Sequence, residues 1–146
     1  MKTRHKSDSF EHSGAEPEVL VCLNGKRRLS LHSKPLTLNC GAQVKLDGFD
    51  KKRHVLCEVY AHLGVLKAGQ RHKVAHDILK MLLVEKDQGG RPWRKICCFA
   101  SKVPKELSGN SWLAHAAKQF HVKFEAVGLT PSTVASLEKA QRREAR

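Results

Sequence analysis

Two acidic residues stand on short runs that otherwise read as strands. Asp47 closes Val44-Lys45-Leu46-Asp47, and Glu58 lies near the end of His54-Val55-Leu56-Cys57-Glu58-Val59-Tyr60. Eleven positions and one turn separate them, so pairing of the two runs puts both carboxylates on neighbouring strands. Two such groups suit a hard divalent cation, because Mg²⁺ usually takes one or two carboxylates and completes its shell with water and substrate phosphate. The plainer alternative makes Asp47 part of an Asp47-Gly48 turn and turns Glu58 to solvent.

A second group follows the strand. Lys67 falls in the turn, and Gln70, Lys73, Asp77 and Lys80 recur at three- and four-residue steps, which keeps them on one helical face opposite an apolar stripe. That face either looks into a cleft or is solvated, with Lys73 and Asp77 as a surface pair worth a few tenths of a kcal/mol. His62, His72 and His76 have zinc-like spacing, but no nearby Cys or Glu completes a motif, which favours exposed helix histidines. Trp93 and Trp112 read as packing residues, since aromatics are only 5% of the chain, too few for a stacking platform along a single strand. No Walker-type loop, dinucleotide fingerprint, G-x-S-x-G elbow or H-E-x-x-H motif is present, which argues against P-loop hydrolysis and serine-type acyl transfer.

The elements that must carry these residues follow from periodicity. Residues 1–17 are polar and basic and read as a flexible arm preceding a single domain over 18–146. Between Glu18 and Leu31, Asn24-Gly25 sits between two apolar runs and favours a hairpin, although Asn-Gly also ends helices. Leu36–Leu38, Val44–Asp47 and His54–Tyr60 then form an antiparallel meander. Val74/Ala75, Ile78/Leu79 and Leu82/Leu83 mark an amphipathic helix over 70–85. Lys95–Ala100 reads as a strand buried on both faces, Trp112–Phe120 as a helix capped by Asn110 or Ser111, and Val122–Ala126 as a strand. A last helix starts at Thr130-Pro131 and runs towards Arg142. A meander feeding β-α-β-α units predicts an α/β fold with a mixed central sheet flanked by helices.

Composition narrows the partners. The 146 residues carry 27 Lys+Arg against 14 Asp+Glu, a formal net charge of +13. A basic domain of this kind attracts polyanions, among which nucleic acid is the commonest inside cells. No apolar run is long enough to span a membrane, and the start is too polar for a secretory signal, so a cytoplasmic protein is expected. The five cysteines are an odd number without a C-x-x-C pair and are expected to be reduced, with Cys97 and Cys98 facing opposite sides of their strand.

Asp47-Gly48, Glu58-Val59-Tyr60-Ala61-His62, Leu66-Lys67-Ala68-Gly69-Gln70, Asp77-Ile78-Leu79-Lys80, Ser111-Trp112-Leu113 and Ala140-Gln141-Arg142 together resemble the PD-(D/E)XK nuclease-like superfamily, in a branch of small bacterial proteins. The resemblance covers about two thirds of the chain. It implies a restriction-endonuclease-like fold and metal-dependent cleavage of DNA phosphodiester bonds, with Asp47 and Glu58 holding Mg²⁺ or Mn²⁺. In that superfamily a lysine two residues after the glutamate orients the attacking water, whereas this chain has Tyr60 there. Lys67 or Lys73 is therefore expected to take over that charge, Gln70 to position water or backbone, and Lys67, Arg71, Lys73 and Lys80 to touch nucleic acid. A homodimer would suit cutting of both strands. Two other readings stand beside it: a non-catalytic nucleic-acid binder on the same fold, and a protein-interaction module whose charge serves association.

Overall fold

The computed structural model describes residues 10–89 and 91–144. A five-stranded mixed sheet is built from β1 (His32–Thr37), β2 (Gln43–Asp50), β3 (Val55–Tyr60), β4 (Arg94–Ala100) and β5 (Val122–Val127), in spatial order β1-β2-β3-β4-β5. The first three strands form the antiparallel meander, and β3, β4 and β5 run parallel. The parallel steps are made through α2 (Ala68–Asp87) and α3 (Trp112–Gln119), while α1 (Phe10–Arg27) precedes the sheet and α4 (Pro131–Glu144) follows it.

Alternation along β3 and β4 sorts the core into two layers. Leu56, Tyr60, Cys97 and Phe99 pack with Val74, Ile78 and Met81 of α2 and Leu113 and Ala117 of α3. Val55, Cys57, Val59, Ile96 and Cys98 face the other way, onto Val19 and Leu23 of α1. Leu137 of α4 is fully buried against Ala15 and Ala61. Helices therefore cover both faces, which is why β3 and β4 are nearly continuous apolar runs. Cys97 and Cys98 do face opposite layers, and all five cysteines are free. Among the described residues no helix is long and apolar enough to cross a membrane.

The hairpin expected between Glu18 and Leu31 is not formed. This stretch belongs to α1, which is helical from Phe10 through Pro17 to Arg27. Of the arm expected over 1–17, residues 1–9 lie outside the described residues, and 10–17 form the first part of this helix. Asn24-Gly25 falls in the last turn of the helix instead. The chain turns through Arg28 at φ 55°, and Asn24 Oδ1 accepts from Leu31 N at 2.8 Å while its amide donates to Leu31 O at 3.0 Å. The side chain thus supplies hydrogen bonds just where the helical ladder stops.

A candidate active site at a fork between two strands

The β2–β3 ladder is short. It pairs Asp50 with Val55, Phe49 with Leu56 and Gly48 with Cys57, then stops. Beyond that point β2 continues back to Gln43 on β1 alone, and β3 continues to Tyr60 on β4 alone. The strands diverge, and the next two residues in register, Asp47 and Glu58, stand at the mouth of the fork. An irregularity in the β1–β2 register between His32 and Lys34 lies opposite the same stretch of β2. Such a bulge increases local twist and re-aims side chains.

Gly48 is needed at the last closed pair. A Cβ there would lie 3.0 Å from Cys57 Cβ, 3.1 Å from Leu20 Cδ1 and 3.3 Å from Leu31 Cβ. Opening the ladder leaves the Val59 amide without a strand partner, and Asp47 Oδ2 accepts from it at 3.0 Å. That bond fixes Asp47 against β3. Asp47 is therefore part of a strand rather than of a turn, and Glu58 is buried rather than solvent-facing.

Glu58 points to the α2 layer, where Lys80 meets it. Lys80 Nζ lies 2.7 Å from Glu58 Oε1, in ion-pair range but without hydrogen-bond alignment, 3.5 Å from Asp77 Oδ1, and donates to Lys45 O at 2.9 Å. Asp77 Oδ2 accepts from Tyr60 OH at 2.8 Å and from Lys73 Nζ at 3.2 Å. The Lys73 ammonium also sits over the Tyr60 ring, 5.0 Å from its centroid. Three carboxyls and two ammonium groups thus share one network.

Burial, then the hydrogen bond and charge of Asp47 and the charge of Asp77, push the Glu58 carboxyl up to about 9 against the pull of Lys80. Glu58 is therefore protonated at neutral pH, and the proton lets the two carboxyls hydrogen-bond. Burial works against the Lys80 charge, but its acidic neighbours outweigh it and raise its pKa. Lys73 behaves alike, with Asp77 the main support. Burial also pushes the Tyr60 phenol well above its ordinary value, so it acts as a neutral donor.

The sequence expectations divide here. Asp47, Glu58 and Lys73 are brought together, and Lys80, expected only as a nucleic-acid contact, is the lysine nearest to Glu58. Lys67 and Gln70 are elsewhere. Gln70 Oε1 accepts from Lys67 N at 2.7 Å and its amide meets His62 Nδ1 at 2.8 Å, so these side chains shape the start of α2. Both line a separate cleft of about 470 Å³ beside α4, with Gln141 and Arg142. The α2 face is also rotated from the expected stripe: Asp77 and Met81 are buried, whereas Leu79 is 68% and Leu83 41% exposed. His72 and His76 are exposed, and among the described residues no group of three or more His, Cys, Asp or Glu is arranged to hold a metal. Trp93 is buried as expected, but Trp112 is 72% exposed.

No family model matches this chain, and no curated protein or solved structure matches it either.

Proposed function

We propose that this chain is a metal-dependent nuclease acting on DNA phosphodiester bonds, built on a restriction-endonuclease-like fold. The fork carries the reading: Asp47 and Glu58 emerge side by side where β2 leaves β3, with a lysine ammonium 2.7 Å from Glu58. A mixed sheet with helices on both faces and a formal charge of +13 support it. The same reading carries a cytoplasmic location and, for cutting both strands of a duplex, a pair of copies.

The donor set fits Mg²⁺ or Mn²⁺. Two hard oxygen donors are fixed on adjoining strands, and Glu58 Oε1 is buried without an aligned hydrogen-bond donor. Asp47 and Glu58 would hold the cation, which when bound supplies positive charge to the phosphoryl oxygens and a more acidic water. The chain's own residues account for the rest. To hold the cation Glu58 would have to be ionised, without the proton that it shares with Asp47. Lys80, with its Nζ 2.7 Å from Glu58 Oε1, would supply the positive charge at the phosphate that Tyr60 cannot carry. Asp77 restrains Lys73 and Lys80 from the rear, and Tyr60 fixes Asp77 by donating to it. With Asp47, Glu58 and Asp77 ionised, two lysines and a divalent cation leave the site one unit positive, which suits a phosphodiester.

A second reading, a non-catalytic nucleic-acid binder, draws on one observation. Tyr60 is committed to Asp77 and buried, so the superfamily's usual lysine position holds no charge. Plasmid and single-strand cleavage with Mg²⁺ or Mn²⁺, against EDTA, decides between them. Cleavage lost in both Asp47→Asn and Glu58→Gln supports the nuclease. Salt-sensitive binding without cleavage, unchanged by either substitution, leaves the binder.

A further inference from the structure

Trp112 is exposed in a place that gives it chemistry. It opens α3 and borders a cleft of about 520 Å³ whose other walls are Arg71 and His72 of α2 and Glu106, Ser111 and Leu113. The chain's other tryptophan, Trp93, is buried against Phe49 and His54. Ser111 is engaged in capping α3, accepting from Ala114 N at 3.2 Å. Glu106, by contrast, has a buried carboxylate oxygen, Oε2, without a hydrogen-bond donor. The cleft therefore combines an exposed indole, the Arg71 guanidinium beside His72, and a carboxylate one of whose oxygens lacks a donor.

We propose that this cleft is a subsite for an unpaired base of a nucleic-acid strand, with guanine preferred. A base stacks on an indole face whatever its identity, so Trp112 supplies affinity. Arg71 and His72 carry the N–H donors for the adjoining phosphate. Glu106 only accepts, and a side-chain carboxylate is matched by guanine, whose N1–H and N2–H donate side by side; adenine and cytosine offer one amine, and thymine one imide. Arg71 lies nine residues, two and a half turns, before Lys80 on α2, so the two side chains leave opposite sides of the helix and the cleft is a site apart from the fork. The inference rests on the nucleic-acid part of the proposed function and not on cleavage.

Binding is measured in EDTA, where cleavage plays no part, with an oligothymidylate carrying one central guanine and with the all-thymine strand. Tryptophan fluorescence reports on the cleft because Trp93 is in the core. The expected result is quenching on binding, at least tenfold weaker binding for Trp112→Ala, partial recovery for Trp112→Phe, and a guanine preference that Glu106→Gln abolishes. Arg71→Ala should lower the salt dependence by about one phosphate contact. Binding seen by anisotropy without quenching, or unchanged affinity in Trp112→Ala, overturns the subsite. So does absence of binding to either strand, which would leave Trp112 to a protein partner. Wild-type cleavage of a plasmid is scored separately, so a nuclease without the subsite and a subsite without the nuclease give different results.

Discussion

Lys80 on α2 and Glu58 on β3 meet at 2.7 Å across the interior of the α2 layer, with the glutamate side chain 2% and the lysine side chain 17% exposed. The pair joins the strand fork to the helix, while the Tyr60 phenol is taken up by Asp77. The sequence offers Lys67 and Lys73 for the displaced charge, the structure adds Lys80, and the surroundings of the three separate them. Lys67 is exposed at the start of α2, Lys73 is half exposed and held by Asp77, and Lys80 alone reaches Glu58.

Cleavage should follow that order. Lys80→Met is expected to lower the single-turnover rate by about 10²–10³-fold, the range for losing one preorganised charge donor. Lys73→Met should cost less, and Lys67→Met should change binding only. A rate for Lys80→Met equal to wild type, with Lys67→Met impaired, would move the active lysine to the cleft beside α4.

Asp77 tests whether the lysines act as a held set. Its side chain is 3% exposed and bonds Tyr60, Lys73 and Lys80 at once. Asp77→Ala leaves the Lys73 ammonium and the buried Tyr60 phenol without their acceptor and takes one of its carboxylate neighbours from Lys80, so a loss of about 3 kcal/mol is expected, the lower end for breaking a buried pair because Lys73 is half solvated and Lys80 keeps Glu58 and Lys45 O. Tyr60→Phe removes one donor and should cost about 1 kcal/mol. Urea unfolding measures both; equal stabilities for wild type and Asp77→Ala would show that the network does not hold the fold.

The strands and helices from Leu36 onwards were legible because turn residues and apolar spacing agree along that stretch. The fork was not. Asp47 and Glu58 stood out as acids on apolar strands, but the divergence of β2 from β3 depends on a bulge and on the space at Gly48, which no periodicity reports. The rotation of α2 was missed for a related reason. Leu79 and Leu83 look like core positions by type, yet the inner face is given to Asp77, which is tolerated there because Tyr60, Lys73 and Lys80 all bond to it. In α1 a usable signal existed: Ala15, Val19 and Leu23 recur every four residues and are the buried positions, but Pro17 and Asn24-Gly25 masked it. Nothing in the sequence marked Trp112 as exposed.

Two glycines should respond in opposite senses. Gly48→Ala places a methyl 3.0 Å from Cys57 Cβ, with Leu20 and Leu31 also crowding it, so a loss of about 1–3 kcal/mol is expected from overpacking. Gly25 lies inside α1 with nothing within 4 Å of an added Cβ, and Gly25→Ala should gain about 0.5–1 kcal/mol by restricting the unfolded chain. Urea midpoints give both signs in one series. A neutral Gly48→Ala would mean that β2 and α1 can part without cost at the mouth of the fork.

The proton on Glu58 gives the protein a distinctive pH dependence. The folded state holds it up to about 9, whereas the unfolded chain releases it near the ordinary value of 4.5. A raised carboxyl pKa means that the folded state binds more protons across that window. This group's contribution is therefore fully present below the unfolded value and is lost as pH rises towards the folded one, by at most about 1.4 kcal/mol per unit. Glu58→Gln cannot ionise and keeps the shape, so its melting temperature, measured in EDTA, should fall less than that of wild type between about pH 6 and 9. Parallel profiles would mean that Glu58 is already ionised in the fold. Saturating Mg²⁺ should flatten the slope, since ligation requires the carboxylate and releases its proton, and the apparent affinity should rise up to about tenfold per pH unit below about 9. Calorimetry in two buffers of different ionisation enthalpy counts the proton directly. Binding with no proton released would remove Glu58 from the ligand set and leave Asp47 as its anchor.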